Sequence, residues 1–165
     1  MEIDYPHPAL PGPTPLRIDV PDDWVVAPAP GAAFMAASPA EVDGMHPSLT
    51  AVIRRVPSSL TLGPVIEEML GEASGLEGFE VTDPEPVEID GYEAVVMNTS
   101  LNASGPSTNL SGPDAISVEQ IHLSCVVPVT EHVSDVITVS FTHPAGASEQ
   151  QRAEHRALLF SLKVG

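Results

Sequence analysis

The sequence predicts an α+β fold: a largely antiparallel sheet with helices laid on its faces. Three observations carry this. Several segments alternate apolar and polar residues with period two, as half-buried strands do. Two segments instead repeat their apolar residues every three to four positions, as amphipathic helices do. Short turns join most of the strands, which favours antiparallel neighbours. A doubly wound nucleotide-binding sheet would need strands and helices in alternation, and this chain lacks that order.

Residues 1–15 are punctuated by Pro6, Pro8, Pro11, Pro13 and Pro15. Such a segment lies extended and cannot join a helix, so it reads as a proline-rich N-terminal arm. Ile3, Tyr5 and Leu10 are its candidate anchors. Residues 16–165 read as one domain, a size that suits a single core. Leu16 to Val20 alternates and is a first strand. Pro21-Asp22-Asp23 makes a turn, and Trp24, the sole tryptophan, is placed to seal one end of the core. After a second turn at Pro28-Ala29-Pro30-Gly31, residues 32–37 form a second strand. Ser38 to Pro47 is a loop. In a third strand, 49–56, Leu49, Ala51 and Ile53 share one face, and Thr50, Val52 and Arg54 the other.

Leu62, Val65, Ile66, Met69, Leu70 and Ala73 fall on one helical face. Pro64 suits the first turn, Glu67 and Glu68 are placed to complement the helix dipole, and Gly75 is the expected stop. Residues 79–89, interrupted by Pro84 and Pro86, form an edge strand. Asp90-Gly91 signals a two-residue hairpin turn leading into a strand over 92–101. The polar stretch 102–113 is a loop. Strands follow at 115–127 and 132–142, the latter with Ile137, Val139 and Phe141 inward. Ser148 with Gln151 three residues on fits a capping box. It opens a second helix to about Phe160, with His155, Leu158, Leu159 and Leu162 on its apolar side. The order is three strands, helix, four strands, helix.

Composition narrows the function. Aromatic residues make up 4% of the chain against 42% hydrophobic overall, so the core is aliphatic. Twenty-three Asp and Glu against six Lys and Arg give a formal charge of −17, with no Lys or Arg between Arg55 and Arg152. That field repels phosphate backbones and anionic lipid, which argues against nucleic-acid and membrane partners. It fits solubility or a basic protein partner. The single cysteine, Cys125, excludes an intramolecular disulfide and a multi-thiolate metal site. It lies in an apolar run and reads as a buried structural thiol. The first fifteen residues carry neither a basic n-region nor an apolar h-region, and no stretch approaches the roughly 20 apolar residues of a membrane span. The expectation is a cytoplasmic protein.

The segments LRIDVPDDWVVAPAPGAAFMA, IDGYEAVV and ITVSFTHPAGASEQQRAEHRALLFSLKV resemble the Mog1/PsbP-like family, in its LpqN/DcrB-type bacterial branch. The first is similar to the family's opening strand, Val-Pro, polar residues, Trp and apolar strand. The second, with Gly91 and Ala94, resembles its hairpin. The third resembles its last strand, helix and closing Ser161-Leu162-Lys163. The likeness spans roughly residues 14 to 164. It implies an αβα sandwich around an antiparallel sheet, and adaptor or chaperone work without an active site. LpqN-type proteins carry an export signal and a lipidated cysteine, and this sequence shows neither. The abundance of Ala and Pro, and of Arg over Lys, agrees with a high-GC, actinobacterial genome.

Catalytic patterns are absent. There is no GxSxG, P-loop, GxGxxG, EF-hand spacing or HExxH. Ser124 beside Cys125 sits within a strand, not at a nucleophile turn. Asp22-Asp23 beside Trp24 reads as a solvated turn. His7, His46, His122, His132, His143 and His155 show no ligand spacing, although His122 and His143, on neighbouring strands, could approach one another. Asn-x-Ser/Thr triplets start at Asn98, Asn102 and Asn109. No catalytic, cofactor or metal residue is assigned, and no cofactor is expected. The expected function is non-enzymatic: a protein-binding adaptor or secretion-effector chaperone. The alternative is an immunity or inhibitor protein that neutralises a basic toxin. The partner is another protein, either basic or offering an apolar helix to the sheet face or to a groove beside the first helix. A homodimer is compatible with the sequence.

Overall fold

The computed structural model describes residues 6, 9, 11–76, 78–103 and 116–165. The elements, in chain order, are β1 (Leu16–Arg17), β2 (Val25–Ala27), β3 (Phe34–Ala37), β4 (Ser48–Pro57), α1 (Leu62–Ala73), β5 (Glu80–Val81), β6 (Glu85–Ile89), β7 (Tyr92–Ala103), β8 (Ile116–Pro128), β9 (Val133–Pro144), α2 (Glu149–Phe160) and β10 (Lys163–Val164). An eight-stranded sheet runs β2-β3-β4-β9-β8-β7-β5, with β6 also on β7. Every pairing in it is antiparallel. Ile3, Tyr5, Leu10 and the 104–113 part of the polar loop lie outside the described residues.

Alternation along the four long strands makes two layers. Leu49 and Ala51 on β4, Ile137, Val139 and Phe141 on β9, Ile121, Leu123 and Cys125 on β8, and Ala94 and Val96 on β7 form the main core with Leu159 and Leu162 at the α2 end of the chain. The facing pairs Leu49 with Phe141 and Leu123 with Val139 show the shared register. The opposite face carries Val56 and Val136, which α1 covers with Val65. The helices therefore lie on opposite faces, which is an αβα sandwich. Trp24 packs on the main core, its ring 5.8 Å from Phe141.

The two helices begin differently. α2 has its complete capping box: the Ser148 hydroxyl accepts from the Gln151 amide, and the Gln151 side chain accepts from the Ser148 amide. α1 starts after Thr61 without a side-chain cap and has no acid in its first turn. Glu67 and Glu68 lie beyond that turn, so they do not offset the dipole as expected. Glu68 instead accepts from Arg54, across to β4. Gly75 is not the left-handed stop: Ser74, still right-handed, ends α1, and the positive φ occurs at Gly78. The Asp90-Gly91 turn does form, both residues with positive φ, between Ile89 and its partner Tyr92.

Four strand assignments change. The expected edge strand 79–89 splits at Pro84 into β5 and β6, each paired with β7, so the order is four strands, helix, five strands, helix, strand. The first strand shortens to Leu16–Arg17, because its partner β10 offers only two residues and the Asp19 amide leaves the ladder to reach the Ser161 hydroxyl. β10 itself was not read from the sequence. Neither was β2, which pairs with β3; Val25 and Val26 are both exposed, so it shows no alternation.

A buried ion pair ties the arm to the sheet. Asp135 is 0% exposed and accepts from Arg55 across the β4–β9 ladder. It also accepts from the amide and hydroxyl of Thr14. Arg55 continues outward to the carbonyls of Pro11 and Gly12. Burial pushes the Asp135 carboxyl up, but the hydrogen bonds from Arg55 and Thr14 outweigh it and hold its pKa below the ordinary value.

Asp135→Ala removes the carboxylate that Arg55 and both Thr14 donors share, so urea titration should show a loss of about 3 kcal/mol. Ser148→Ala removes one cap and should cost less, about 1 kcal/mol in the same assay.

Candidate functional site

On the α2 face the sheet runs past the helix, and a cleft of about 520 Å³ opens there. Its floor is two rows set by the strand register. One row is Glu80, Ser100 and Glu119; the other brings Asn98 beside Ile121. Val81 and Thr82 form the outer side, and Arg152, Ala153 and Arg156 of α2 form the opposite wall, with Glu149 at its start. The volume lies in the range of ligand pockets. Among the described residues, the Asn98 side-chain carboxamide and the Ser100 hydroxyl accept and donate no hydrogen bond, so both are available to a ligand.

Its arginines are already engaged. Arg152 grips Glu119 through two nitrogens, at 2.9 and 3.1 Å, and the Gly146 amide adds a third contact to the same carboxylate. Arg152 beside it holds the Glu119 pKa below the usual carboxylate range. Arg156 donates to Glu85 on β6 and lies over the Phe160 ring, and its hydrogen bond likewise lowers the Glu85 pKa. Among the described residues neither Glu80 nor Glu149 is within ion-pair distance of a cation, although Glu149 lies close enough to Arg152 to act on it electrostatically. The cleft thus combines apolar Ile121 and Ala153, two free polar side chains and two carboxylates outside any ion pair. None of these has a site role in the sequence analysis; Asn98 and Ser100 appear there only as an Asn-x-Ser triplet. The available signal was Arg152 and Arg156, one helical turn apart, ending the long stretch without a cation.

The groove expected beside the first helix also exists. Val52, Val136 and Thr138 form its floor, Val65 and Met69 its helix side, with a volume of about 400 Å³. Arg54 and Glu68, 2.6 Å apart, connect its two sides.

The histidines separate by face. His122 and His143 do not meet: His122 pairs with Ser140 and Met97, while His143 pairs with Glu119, and the two rings project from opposite faces of the sheet. His122 bridges Ser140 at 2.8 Å and Thr99 at 2.9 Å. This chain of hydroxyl, imidazole and hydroxyl has the connectivity of a nucleophile, base and orienter. It lacks the rest of that machinery, because β8 and β9 are interior strands whose amides serve the ladder on both sides. Burial also lowers the His122 pKa to about 4, which makes it a weak base. His143 instead meets His155 of α2, ring centroids 4.6 Å apart. Among the described residues, no three His, Cys, Asp or Glu side chains are grouped to hold a metal ion, and no helix is long and apolar enough to cross a membrane.

No protein-family model matches the sequence, and no curated protein matches it. Solved structures do match. LpqN of Mycobacterium tuberculosis, described as involved in cell envelope biogenesis, superposes with a TM-score of 0.70 at 17% identity, over 93% of this chain and 85% of that one. The cyanobacterial PsbP (CyanoP) of Synechocystis sp. PCC 6803 superposes at 0.57 with 15% identity, over 93% of each chain. The chain has the Mog1/PsbP-like fold. A Pseudomonas aeruginosa protein of unknown function, PA94, described as a putative regulator, aligns at 0.55 with 14% identity, over 91% of this chain and 96% of that one. At these identities the Mog1/PsbP-like likeness is one of fold, as the three segments named above implied.

Cys125 is fully buried, and burial raises its thiol pKa to about 11. A disulfide reagent such as DTNB at pH 8 should therefore leave the native protein unlabelled and label one thiol per chain in denaturant.

Proposed function

We propose that the protein is a non-enzymatic binding protein, an adaptor or chaperone that holds a basic, partly apolar segment of another protein in the cleft beside α2. The observation that carries this is the pairing of charges. Five of the six Lys and Arg side chains already face a carboxylate of the chain itself. The remaining acids leave a field that attracts cations, and Glu80 and Glu149 bring it to the edge of an apolar wall. A segment that alternates Lys or Arg with aliphatic residues matches this arrangement: its cations meet Glu80 and Glu149, and its apolar side chains meet Ile121 and Ala153. Asn98 and Ser100 suit its backbone amides. The cleft beside α2 is favoured over the groove beside α1, where the Arg54–Glu68 pair already joins the two sides.

The same charge excess supports a second reading, an immunity or inhibitor protein whose basic partner is a toxin. Both readings place recognition on a surface and ask no bond-making of the chain.

The test is a fluorescent peptide of alternating Lys and Leu, titrated by anisotropy. Replacing both cleft acids, Glu80→Lys with Glu149→Lys, should weaken binding about tenfold or more, and raised salt should weaken it further. Glu131→Lys, on an exposed turn, should have little effect. Equal affinities for the wild type and the double variant would remove the cleft from the account.

A further inference from the structure

The helix that walls the cleft rests on an unusual layer. His155 of α2 stacks on Phe141 of β9, centroids 4.2 Å apart and planes 21° apart. Trp24 lies against the same Phe141, ring centroids 5.8 Å apart. His143 tilts against His155 at 4.6 Å and is 2% exposed. Its Nδ1 lies 2.8 Å from the Pro144 carbonyl, which can only accept, so the proton sits on Nδ1 and Nε2 presents a lone pair. That Nε2 is buried without a partner, and so is Nδ1 of His155. Two imidazoles therefore hold α2 to the sheet with a buried polar atom of each unsatisfied, an arrangement that tolerates only neutral rings.

The charged groups around the pair come from three elements. Glu119 of β8 places Oε2 3.8 Å from His143 Nε2. Arg152 and Glu154 come from α2 and act electrostatically on the pair. Asp43, from the loop before β4, lines a pocket of about 130 Å³ together with both histidines and Gln151. Glu119 would be the natural partner of a protonated His143, but its carboxylate is already held by Arg152 and Gly146. A proton on His143 thus competes with the ion pair that pins the first turns of α2. A proton on His155 places a cation inside the ring stack. Either event works against the attachment of the same helix.

We propose that the His143–His155 pair is an acid-sensitive latch, which holds α2 and the cleft wall against the sheet when neutral and releases them when protonated. The role of the latch in binding rests on the cleft being the partner site, as argued above; its opening does not. Burial lowers the pKa of both rings, that of His155 to about 4. An imidazole free in the detached state titrates near 6.5. The detached state therefore takes up protons first as the pH falls from about 6.5 towards 4, and the docked state loses ground across that window.

Trp24, the sole tryptophan, reports on the stack. In the free protein, its fluorescence should change with a midpoint between about pH 4 and 6.5. Hydrogen-exchange protection factors along α2 should fall about tenfold or more on going from pH 7 to 4.5, while those of β8 and β9 hold. His155→Phe keeps the stack and removes its titration, and should lower the midpoint by about one pH unit or more. His143→Leu gives the same expectation through the partner ring, should the first variant fail to fold. Equal midpoints in the wild type and whichever variant folds overturn the latch, and so does unchanged protection of α2. These measurements need no partner, so a latch that opens while the Lys-Leu peptide fails to bind overturns the cleft reading alone.

Discussion

The structure depends on parity along four long strands. β4, β9, β8 and β7 keep one antiparallel register, so each residue's face follows from whether its position is odd or even. On β8 and β9 the odd positions supply the aliphatic core under α2, and the even ones a mixed face under α1. A slip of one residue would exchange Leu123 with Ser124 and Val139 with Ser140, placing hydroxyls in the main core. Parity also decides the chemistry. His122 goes to one face with Ser140 and Thr99, while His143 goes to the other with Glu119 and His155. Two imidazoles on adjacent strands are thus kept apart by the sheet itself.

Charge is organised by the same frame. Its few cations act as internal ties: Arg54 joins β4 to α1, Arg55 joins β4 to β9 and the arm, Arg152 and Arg156 join α2 to β8 and β6, and Lys163 reaches Asp90. Only the Arg55–Asp135 pair has a fully buried member. The others lie at the surface, where single ion pairs stabilise little. Their effect is instead to remove positive charge from the exterior, leaving a surface whose field has one sign.

Much of this was readable in the residues. α1, the Asp90-Gly91 turn and the Ser148 capping box each rest on a local rule, periodicity, φ preference or side-chain reach, and each appears at its expected place. The long strands follow from alternation. What was not readable depends on distance along the chain. β2 exposes both of its valines and so carries no pattern, and β10 is too short for one. The cleft joins residues 80–82, 98–100, 119–121 and 149–156, which only the sheet order brings together. The meeting of His143 with His155 depends on where α2 docks, whereas the separation of His122 from His143 is a matter of counting: an even and an odd position on paired strands with even–even register face opposite ways.

The small sheet of β1 and β10 carries a mechanical consequence. It joins Leu16 to Val164 and Arg17 to Lys163, closed by the Gly165 amide on the Pro15 carbonyl. Tension applied to residues 15 and 165 meets this ribbon end-on, so its bonds are loaded singly and unzip in sequence, rather than shearing together. The ribbon therefore acts as a soft fuse: a pull on the ends peels it open at low force while the long ladders behind it remain unloaded.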